Sequence, residues 1–141
     1  MSATLTPNLM TEDVNASVRF YCGYLGFSLQ MGLPFDTETP VNEVAADVPL
    51  QFAMLDREGA MLMLQHRRSL AEECRLFKEM PVAASVTCYL QVEDLDKLMA
   101  GLGGDVETVI PERVTFYGMR ELWIRDNNGY IVTLAQKQAS E

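Results

Sequence analysis

Residues 122–134, LWIRDNNGYIVTL, form the stretch from which the fold of this chain can be read. Two runs of alternating apolar residues flank the polar segment 126–129, which ends in Gly. Such a segment favours a tight turn because Gly tolerates positive φ, so we expect a β-hairpin. Residues 52–64, FAMLDREGAMLML, place an Asp and a Gly 70 positions earlier (126 − 56 and 129 − 59). The chain is therefore predicted to make the same hairpin twice.

Length and composition indicate a folded protein. A chain of 141 residues can bury a core without disulfides or metals. Its 48% hydrophobic and 22% charged residues argue against disorder. Residues 1–10 lack a basic segment followed by an apolar run, and no stretch approaches the roughly 20 apolar residues of a membrane span. We expect a cytoplasmic protein without a membrane partner.

The charge and the cysteines exclude further classes. Eleven basic and twenty acidic residues give a net charge of −9, which opposes a nucleic acid partner because Lys and Arg supply affinity for phosphates. The acidic balance suits a cationic ligand, or serves solubility alone. Cys22, Cys74 and Cys88 are odd in number and widely spaced without a CxxC pair, so they are expected to be small buried hydrophobes.

Apolar periodicity and chain breakers predict elements in a repeated order. Glu12 and Glu93 begin similar acidic helix starts at an offset of 81 (93 − 12). The predicted order is strand 4–10, helix 14–25, strand 27–33, hairpin 52–65, linking helix 69–80, strand 84–92, helix 95–102, strand segments 106–110 and 114–117 around Pro111, and the closing hairpin. The acidic connection 34–49 is long enough to be a functional flap or a solvated loop.

These elements predict an α+β fold. We expect one domain, residues 1–141, with an internal repeat: a first βαβββ module at residues 4–66 and a second at residues 84–136. Each module leaves one sheet face open, so pairing two modules into a curved mixed sheet buries what neither buries alone. The helices are expected on the outer face and a cavity on the open face.

Three segments carry a resemblance to a known superfamily. Residues 12–27 (EDVNASVRFYCGYLGF), 89–98 (YLQVEDLDKL) and 117–134 (YGMRELWIRDNNGYIVTL) resemble the vicinal oxygen chelate superfamily. This superfamily contains glyoxalase I, extradiol dioxygenases, fosfomycin-resistance enzymes and bleomycin-resistance proteins. The motif FYxxxLGF and the segment RDNNGY, where the family more usually has DPDG or DPNG, extend the resemblance over nearly the whole chain. It implies a homodimer.

The resemblance also locates a metal site. Metal-dependent members hold a divalent ion with four side chains, commonly His or Glu, and the corresponding positions here are Thr6, Met63, Thr87 and Thr133. Hydroxyl and thioether groups are poor ligands for such ions. The sole histidine, His66, lies beyond its strand and cannot form a metal triad. We expect no metal, no cofactor and no catalytic residue, since no pattern for nucleophilic catalysis is present.

Strand alternation predicts a ligand-binding face. Leu122 and Ile124 are expected to face the helix, which leaves the open face aromatic, rich in Met and sparsely polar, as in small-molecule cavities. Arg120 either pairs with a carboxylate of the fold or holds an anionic ligand group. The alternative for the whole face is a collapsed core or a dimer contact. The predicted ligand-binding residues are Asn8, Met10, Phe35, Phe52, Met61, Met63, Tyr89, Tyr117, Arg120, Glu121 and Trp123.

Three functions remain open. The first is metal-free binding, or sequestration, of a small hydrophobic or aromatic compound, cationic compounds included, as in bleomycin-resistance-like members that confer antibiotic resistance. The second is a glyoxalase-like or dioxygenase-like lyase or oxidoreductase that uses displaced metal ligands or acid–base side chains. The third is a dimerisation module without a ligand. The metal positions favour the first, a non-enzymatic protein.

Overall fold

Two compact units divide the chain after Val82 in a computed structural model that describes residues 2–139. Each unit contains the predicted order of strand, helix and three strands, which confirms the α+β class. The elements are β1 (Asn8–Thr11), α1 (Val14–Leu25), β2 (Ser28–Pro34), β3 (Leu50–Arg57), β4 (Ala60–His66), α2 (Arg67–Glu73), a 3-10 turn (Arg75–Phe77), β5 (Thr87–Gln91), α3 (Leu95–Ala100), β6 (Thr108–Val114), β7 (Met119–Arg125) and β8 (Ile131–Lys137).

The first unit is a four-stranded sheet in the order β1-β4-β3-β2 with helix α1 against β3 and β4. β1 runs parallel to β4, and the other neighbours are antiparallel. Asp13 caps α1 by accepting a hydrogen bond from the backbone of Ala16, and Gly26 ends it at a φ of 75°. Leu55 and Leu64 are fully buried in the core, and each such side chain contributes about 2 kcal/mol of hydrophobic stabilisation.

The second unit repeats this arrangement in the order β5-β8-β7-β6. β5 is parallel to β8, and helix α3 packs against β8. Leu122 and Ile124 are buried with Leu95 and Leu134, as their alternation along the strand predicts. One face of this sheet is therefore the core, and the other carries the alternate residues of each strand.

Both predicted hairpins form, but they close differently. In the first, Glu58 and Gly59 both have positive φ, and Arg57 pairs directly with Ala60 in a two-residue turn. In the second, five residues separate the paired ends, and Asp126 Oδ1 accepts hydrogen bonds from the backbone N–H groups of residues 128 and 130. The same spacing of Asp and Gly thus predicts a hairpin without determining its turn.

Several predicted boundaries are wrong for identifiable reasons. β1 begins at Asn8 rather than residue 4, since Pro7 has no N–H to donate to a ladder. β5 begins at Thr87, where its pairing with β8 begins. The linking helix begins at Arg67 rather than residue 69, because the His66 side chain caps it. β6 continues through Pro111, which the edge of the sheet tolerates at an irregular register.

The long connection between β2 and β3 is anchored by a buried side chain of α1. Asn15 Oδ1 accepts a hydrogen bond from the N–H of Leu50 at 2.9 Å. Its amide nitrogen donates to the carbonyls of Val48 at 3.0 Å and Ala45 at 3.3 Å. Val41 forms a bridge with Gly32 of β2. The connection therefore follows the start of α1 within the first unit.

None of the helices in residues 2–139 is both long and apolar enough to cross a membrane.

Candidate functional site

The strand register of the second unit gathers the predicted polar and aromatic residues on one sheet face. Tyr89 and Trp123 both pair with Thr133, and Glu121 pairs with Ala135 in the adjacent row. Directly paired residues project from the same face of a sheet, and residues two apart on a strand share that face. Glu121 and Trp123 therefore lie on the face opposite the core, in the predicted orientation.

The centre of this face is a buried carboxylate. The side chain of Glu121 is 0% exposed. Its Oε2 accepts hydrogen bonds from the hydroxyls of Tyr89 at 2.8 Å and Tyr117 at 2.7 Å. Its Oε1 accepts from Trp123 Nε1 at 3.1 Å and lies 3.7 Å from Arg113 Nη2. Both oxygens therefore accept hydrogen bonds, two at Oε2 and one at Oε1, and the Arg113 guanidinium adds a charge interaction without a hydrogen bond.

The hydrogen bonds fix the protonation states of this cluster. Burial raises the pKa of Glu121, but the three donated hydrogen bonds and the charge of Arg113 lower it further, so the net shift is downward. Burial and the hydrogen bond to Glu121 raise the pKa of Tyr89 to about 12. The hydrogen bond to Glu121 also raises the pKa of Tyr117. Near neutral pH the carboxyl is ionised and both phenols are protonated.

Three aromatic side chains bond to the carboxylate and a fourth, Phe116, packs on one of them; we call the four the aromatic surface: Tyr89, Phe116, Tyr117 and Trp123. Tyr89 is 51% exposed, Tyr117 54% and Phe116 fully exposed, whereas Trp123 is half-buried. Phe116 and Tyr117 form an edge-to-face pair with ring centroids 5.0 Å apart. Glu121 accepts hydrogen bonds from the polar atoms of Tyr89, Tyr117 and Trp123. These hydrogen bonds restrict the orientation of the three rings.

In the first unit the corresponding sheet face is rich in methionine. The register pairs Asn8 with Met63 and Met63 with Met54, while Gln65 pairs with both Met10 and Phe52. We call this set, with Met61, the methionine face. Methionine adapts to irregular apolar shapes, so the face suits an apolar ligand body.

A polar network borders the methionine face at the start of α2. Gln65 is buried, and its Oε1 accepts a hydrogen bond from Asn8 Nδ2 at 2.9 Å. The Gln65 amide nitrogen donates to Ser69 Oγ and to Glu73 Oε1, both at 3.0 Å. These mutual bonds satisfy the buried amide within the first unit.

Two predicted binding residues lie elsewhere. Phe35 does not lie on the methionine face. Its ring packs edge-to-face on His66, with ring centroids 5.3 Å apart. The guanidinium carbon of Arg68 lies 4.1 Å from the Phe35 ring centroid. Phe35 lines a pocket of about 330 Å³ at the start of α1. Arg120 pairs with Asp96 at 2.8 Å and Glu112 at 2.6 Å, which corresponds to the ion-pair alternative.

Sequence reasoning missed other members of the two faces. The sequence did not identify Arg113 as a neighbour of Glu121, because Pro111 appeared to end the strand in which Arg113 lies. Phe116 was assigned to the strand segment 114–117, but β6 ends at Val114 and Phe116 lies in the turn before β7. Met54 and Gln65 were recoverable, since alternation from Phe52 and Met63 reaches them directly.

The residues at the metal positions implied by the resemblance do not fit a divalent ion. Thr6 precedes β1, Thr87 pairs with Ile131, and Thr133 is buried in β8. Three neutral hydroxyls and the Met63 thioether lack the charge and basicity that such ions require. Across residues 2–139, no three His, Cys, Asp or Glu side chains gather closely enough to hold a metal.

Comparisons with known proteins agree with this architecture. The family model described as Glyoxalase/Bleomycin resistance protein/Dioxygenase superfamily matches residues 4–134. No curated protein matches the chain. Three solved structures, each under 25% identical, show likeness of fold alone.

A protein of unknown function from Agrobacterium tumefaciens str. C58 has a TM-score of 0.70 and 18% identity, with 97% of this chain and 95% of that chain covered. The bleomycin-binding protein from Streptomyces verticillus, complexed with copper(II)-bleomycin, has a TM-score of 0.57 and 21% identity over 100% of both chains. The bleomycin resistance determinant encoded on transposon Tn5 has a TM-score of 0.61 and 18% identity, with 98% of this chain and 100% of that chain covered.

Proposed function

We propose, from the premise that this chain belongs to the glyoxalase/bleomycin resistance protein/dioxygenase superfamily, that it binds and sequesters a small planar aromatic compound, with cationic compounds preferred. The observation that carries this proposal is the Glu121 carboxylate, which is buried and bonded to three aromatic side chains. A buried charge is costly unless its partners are held in place. Here those partners are the rings that a ligand would contact.

The chemistry of the rings supports a planar ligand. A stacked aromatic pair contributes about 0.5–1.5 kcal/mol beyond its buried area. Tyr89 and Tyr117 are half-exposed, so their faces are accessible, and their hydroxyls are held by Glu121. Little side-chain freedom is left to lose on binding, which favours affinity.

The same geometry supports a preference for cations. A phenol that donates a hydrogen bond to a carboxylate gains electron density in its ring, which strengthens the attraction between the ring face and a cation. The net charge of −9 also attracts cations at long range. Arg113 opposes this locally, but its charge is countered by Glu121 at 3.7 Å. The net preference is therefore for an aromatic cation.

Binding fits the cluster better than acid–base catalysis does. A general base needs a free lone pair and a pKa near the working pH. Glu121 has a lowered pKa, and both of its oxygens are occupied. Tyr89, with a pKa of about 12, is a weak acid near neutrality. The cluster is suited to holding rings in place.

Two similar structures give the ligand class a starting point. One is a bleomycin-binding protein seen with copper(II)-bleomycin, and the other is a bleomycin resistance determinant. Bleomycin is therefore the first compound to test. A homodimer and a cytoplasmic location stay predictions from the sequence, and sedimentation of the purified protein tests the former.

The experiment is a fluorescence titration of Trp123, the only Trp of the chain. The compounds are bleomycin, the planar cation N-methylphenanthridinium and its neutral near-isostere phenanthridine. We expect quenching and a raised melting temperature, because a ligand of the native state stabilises it. The cation should bind more tightly than phenanthridine, because ring faces attract positive charge. Tyr117→Ala should weaken binding by about tenfold, on the scale of one aromatic contact. Tyr24→Ala, in α1 of the first unit, should not.

Each alternative has its own outcome. No quenching and no thermal shift with any of the compounds would overturn the proposal and favour a dimerisation module. Conversion of a bound compound to a new product would favour the enzyme. Metal analysis that finds about one tightly held divalent ion per chain would overturn metal-free binding.

A further inference from the structure

A groove on the first unit concentrates positive charge in an acidic protein. Of eleven Lys and Arg residues in the chain, four lie within residues 67–78. They line an open groove of about 610 Å³ formed by α2 and the 3-10 turn that follows it. We call it the basic groove, and its residues are His66, Arg67, Arg68, Ala71, Glu72, Arg75 and Lys78.

Two of the four cations are held in position. Arg67 forms an ion pair with Glu12 and donates to the carbonyl of Met80 at 3.1 Å. The guanidinium of Arg68 lies 4.1 Å from the centroid of Phe35, and its backbone N–H donates to His66 Nδ1 at 3.0 Å. The ion pair with Glu12 restrains the Arg67 guanidinium, and the contact with the Phe35 ring restrains the Arg68 guanidinium, before any ligand binds.

The other two cations are uncommitted. Arg75 and Lys78 are exposed, and neither forms an ion pair with any residue of the described range 2–139. Glu72 supplies the only carboxylate in the lining. Four cations against one anion give the lining a formal charge of +3 (4 − 1). Like charges in a shared groove repel one another, and an anionic ligand relieves that repulsion.

We propose that the basic groove binds a compact organic phosphate carrying two or more negative charges. Arginine forks match the geometry of phosphate oxygens, and Lys adds a point charge. Ala71 and the methylene stems of the long side chains offer an apolar floor for the organic part of the ligand. The volume lies within the range of small-molecule sites, about 300–1,000 Å³.

The charge of the rest of the chain favours a compact ligand. The residues outside the groove carry −12 (−9 minus the +3 of the lining). An extended polyanion such as a nucleic acid would meet this acidic surface beyond the groove and be repelled. A ligand contained within the groove meets four cations and the single carboxylate of Glu72.

The experiment is calorimetric titration of the full chain at low salt, without divalent ions, using ATP, inorganic pyrophosphate and a single-stranded oligonucleotide as probes. We expect ATP to bind more tightly than pyrophosphate, because the nucleoside reaches the apolar floor. Salt should weaken both, since screening acts on exposed charges. The oligonucleotide should bind most weakly of the three.

The variant R75A/K78A should bind ATP about tenfold or more weakly, because it removes both uncommitted cations. Its control, K97A/K137A, removes two Lys charges from the second unit and should leave binding unchanged. Circular dichroism should show both variants folded. Equal weakening by both variants, failure of ATP and pyrophosphate to bind at millimolar concentration, or tighter binding of the oligonucleotide would each overturn the proposal. Binding of ATP that R75A/K78A leaves unchanged would place the nucleotide elsewhere, for example with its adenine on the aromatic surface, and would likewise overturn the proposal. Pyrophosphate has no ring, so its binding tests the basic groove independently of the aromatic surface.

Discussion

The hydroxyl of Tyr117 donates a hydrogen bond of 2.7 Å to Oε2 of Glu121, four residues further along the chain. Tyr117 lies in the turn between β6 and β7, where Gly118 adopts a φ of 81°, whereas Glu121 is buried within β7. The bond ties an exposed turn to an interior charge. The orientation of the aromatic surface therefore depends on the ionised state of one carboxyl group.

Replacing Glu121 by Gln should destabilise the protein by about 2–4 kcal/mol, because an amide presents N–H groups where donors already point. Urea unfolding followed by far-UV circular dichroism measures the change. Glu93→Gln, at an exposed position of the same unit, is the control and should change the free energy of unfolding by less than about 0.5 kcal/mol. Equal stability of the two variants would contradict the buried-charge description.

The contribution of Glu121 to stability should depend on pH in one direction. A carboxyl with a folded pKa below its unfolded value binds protons more weakly when folded. Its stabilisation is fully present above the ordinary value of 4.5 and is lost as pH falls through the folded pKa. The difference in unfolding free energy between the wild type and Glu121→Gln should be constant near neutrality and shrink below pH 4.5. A difference that is flat down to about pH 3 would contradict the lowered pKa.

Tyr89 should ionise late in an alkaline titration. The absorbance of tyrosinate should show a step near pH 12 that Tyr89→Phe lacks. The stabilisation associated with this raised pKa is present below the ordinary value of 10 and is lost as pH rises through about 12. In Glu121→Gln the step should move toward 10, because the carboxylate that opposes ionisation is gone. The chain has five Tyr residues, so the step assigned to Tyr89 is the one that Tyr89→Phe removes. If that step lies at 10 in the wild type, the hydrogen bond to Glu121 is not formed in solution.

Asn15→Ala should release the connection between β2 and β3. The substitution removes three hydrogen bonds and leaves the N–H of Leu50 without its partner, which costs about 2 kcal/mol. Limited proteolysis should then cut residues 36–48 faster than in the wild type. Asn42 is an exposed residue within the connection, so Asn42→Ala is the matched control. It should be cleaved at the same rate as the wild type. If both variants are cut at the wild-type rate, Asn15 is not the anchor.

Much of the fold was predictable because the decisive signals are local. Alternation in residues 121–134 correctly placed Leu122 inward and Glu121 on the opposite face. The spacing from Val14 to Leu25 and the Gly that follows correctly predicted α1. In each case the residues that form the pattern are also the residues that contact one another, so no distant information was needed.

The site was less predictable because its contacts join distant parts of the chain. The bond from Tyr89 to Glu121 spans 32 positions and depends on the register in which β5, β8 and β7 align. Periodicity assigns each residue to a face but does not place one strand against another. The surroundings of Phe35 could not be predicted for the same reason, since its partners His66 and Arg68 follow it by about thirty residues.

Pro111 has a consequence for how this protein behaves at high concentration. It lies in β6, the outer strand of its sheet, where Val109 and Val114 are exposed. An outer strand with apolar side chains and free backbone donors is a template onto which another chain can add. The ring of Pro111 removes one donor, and the irregular register around it interrupts the ladder. We therefore expect Pro111, the residue that interrupts the strand pattern in the sequence, to hinder the addition of another chain to this edge.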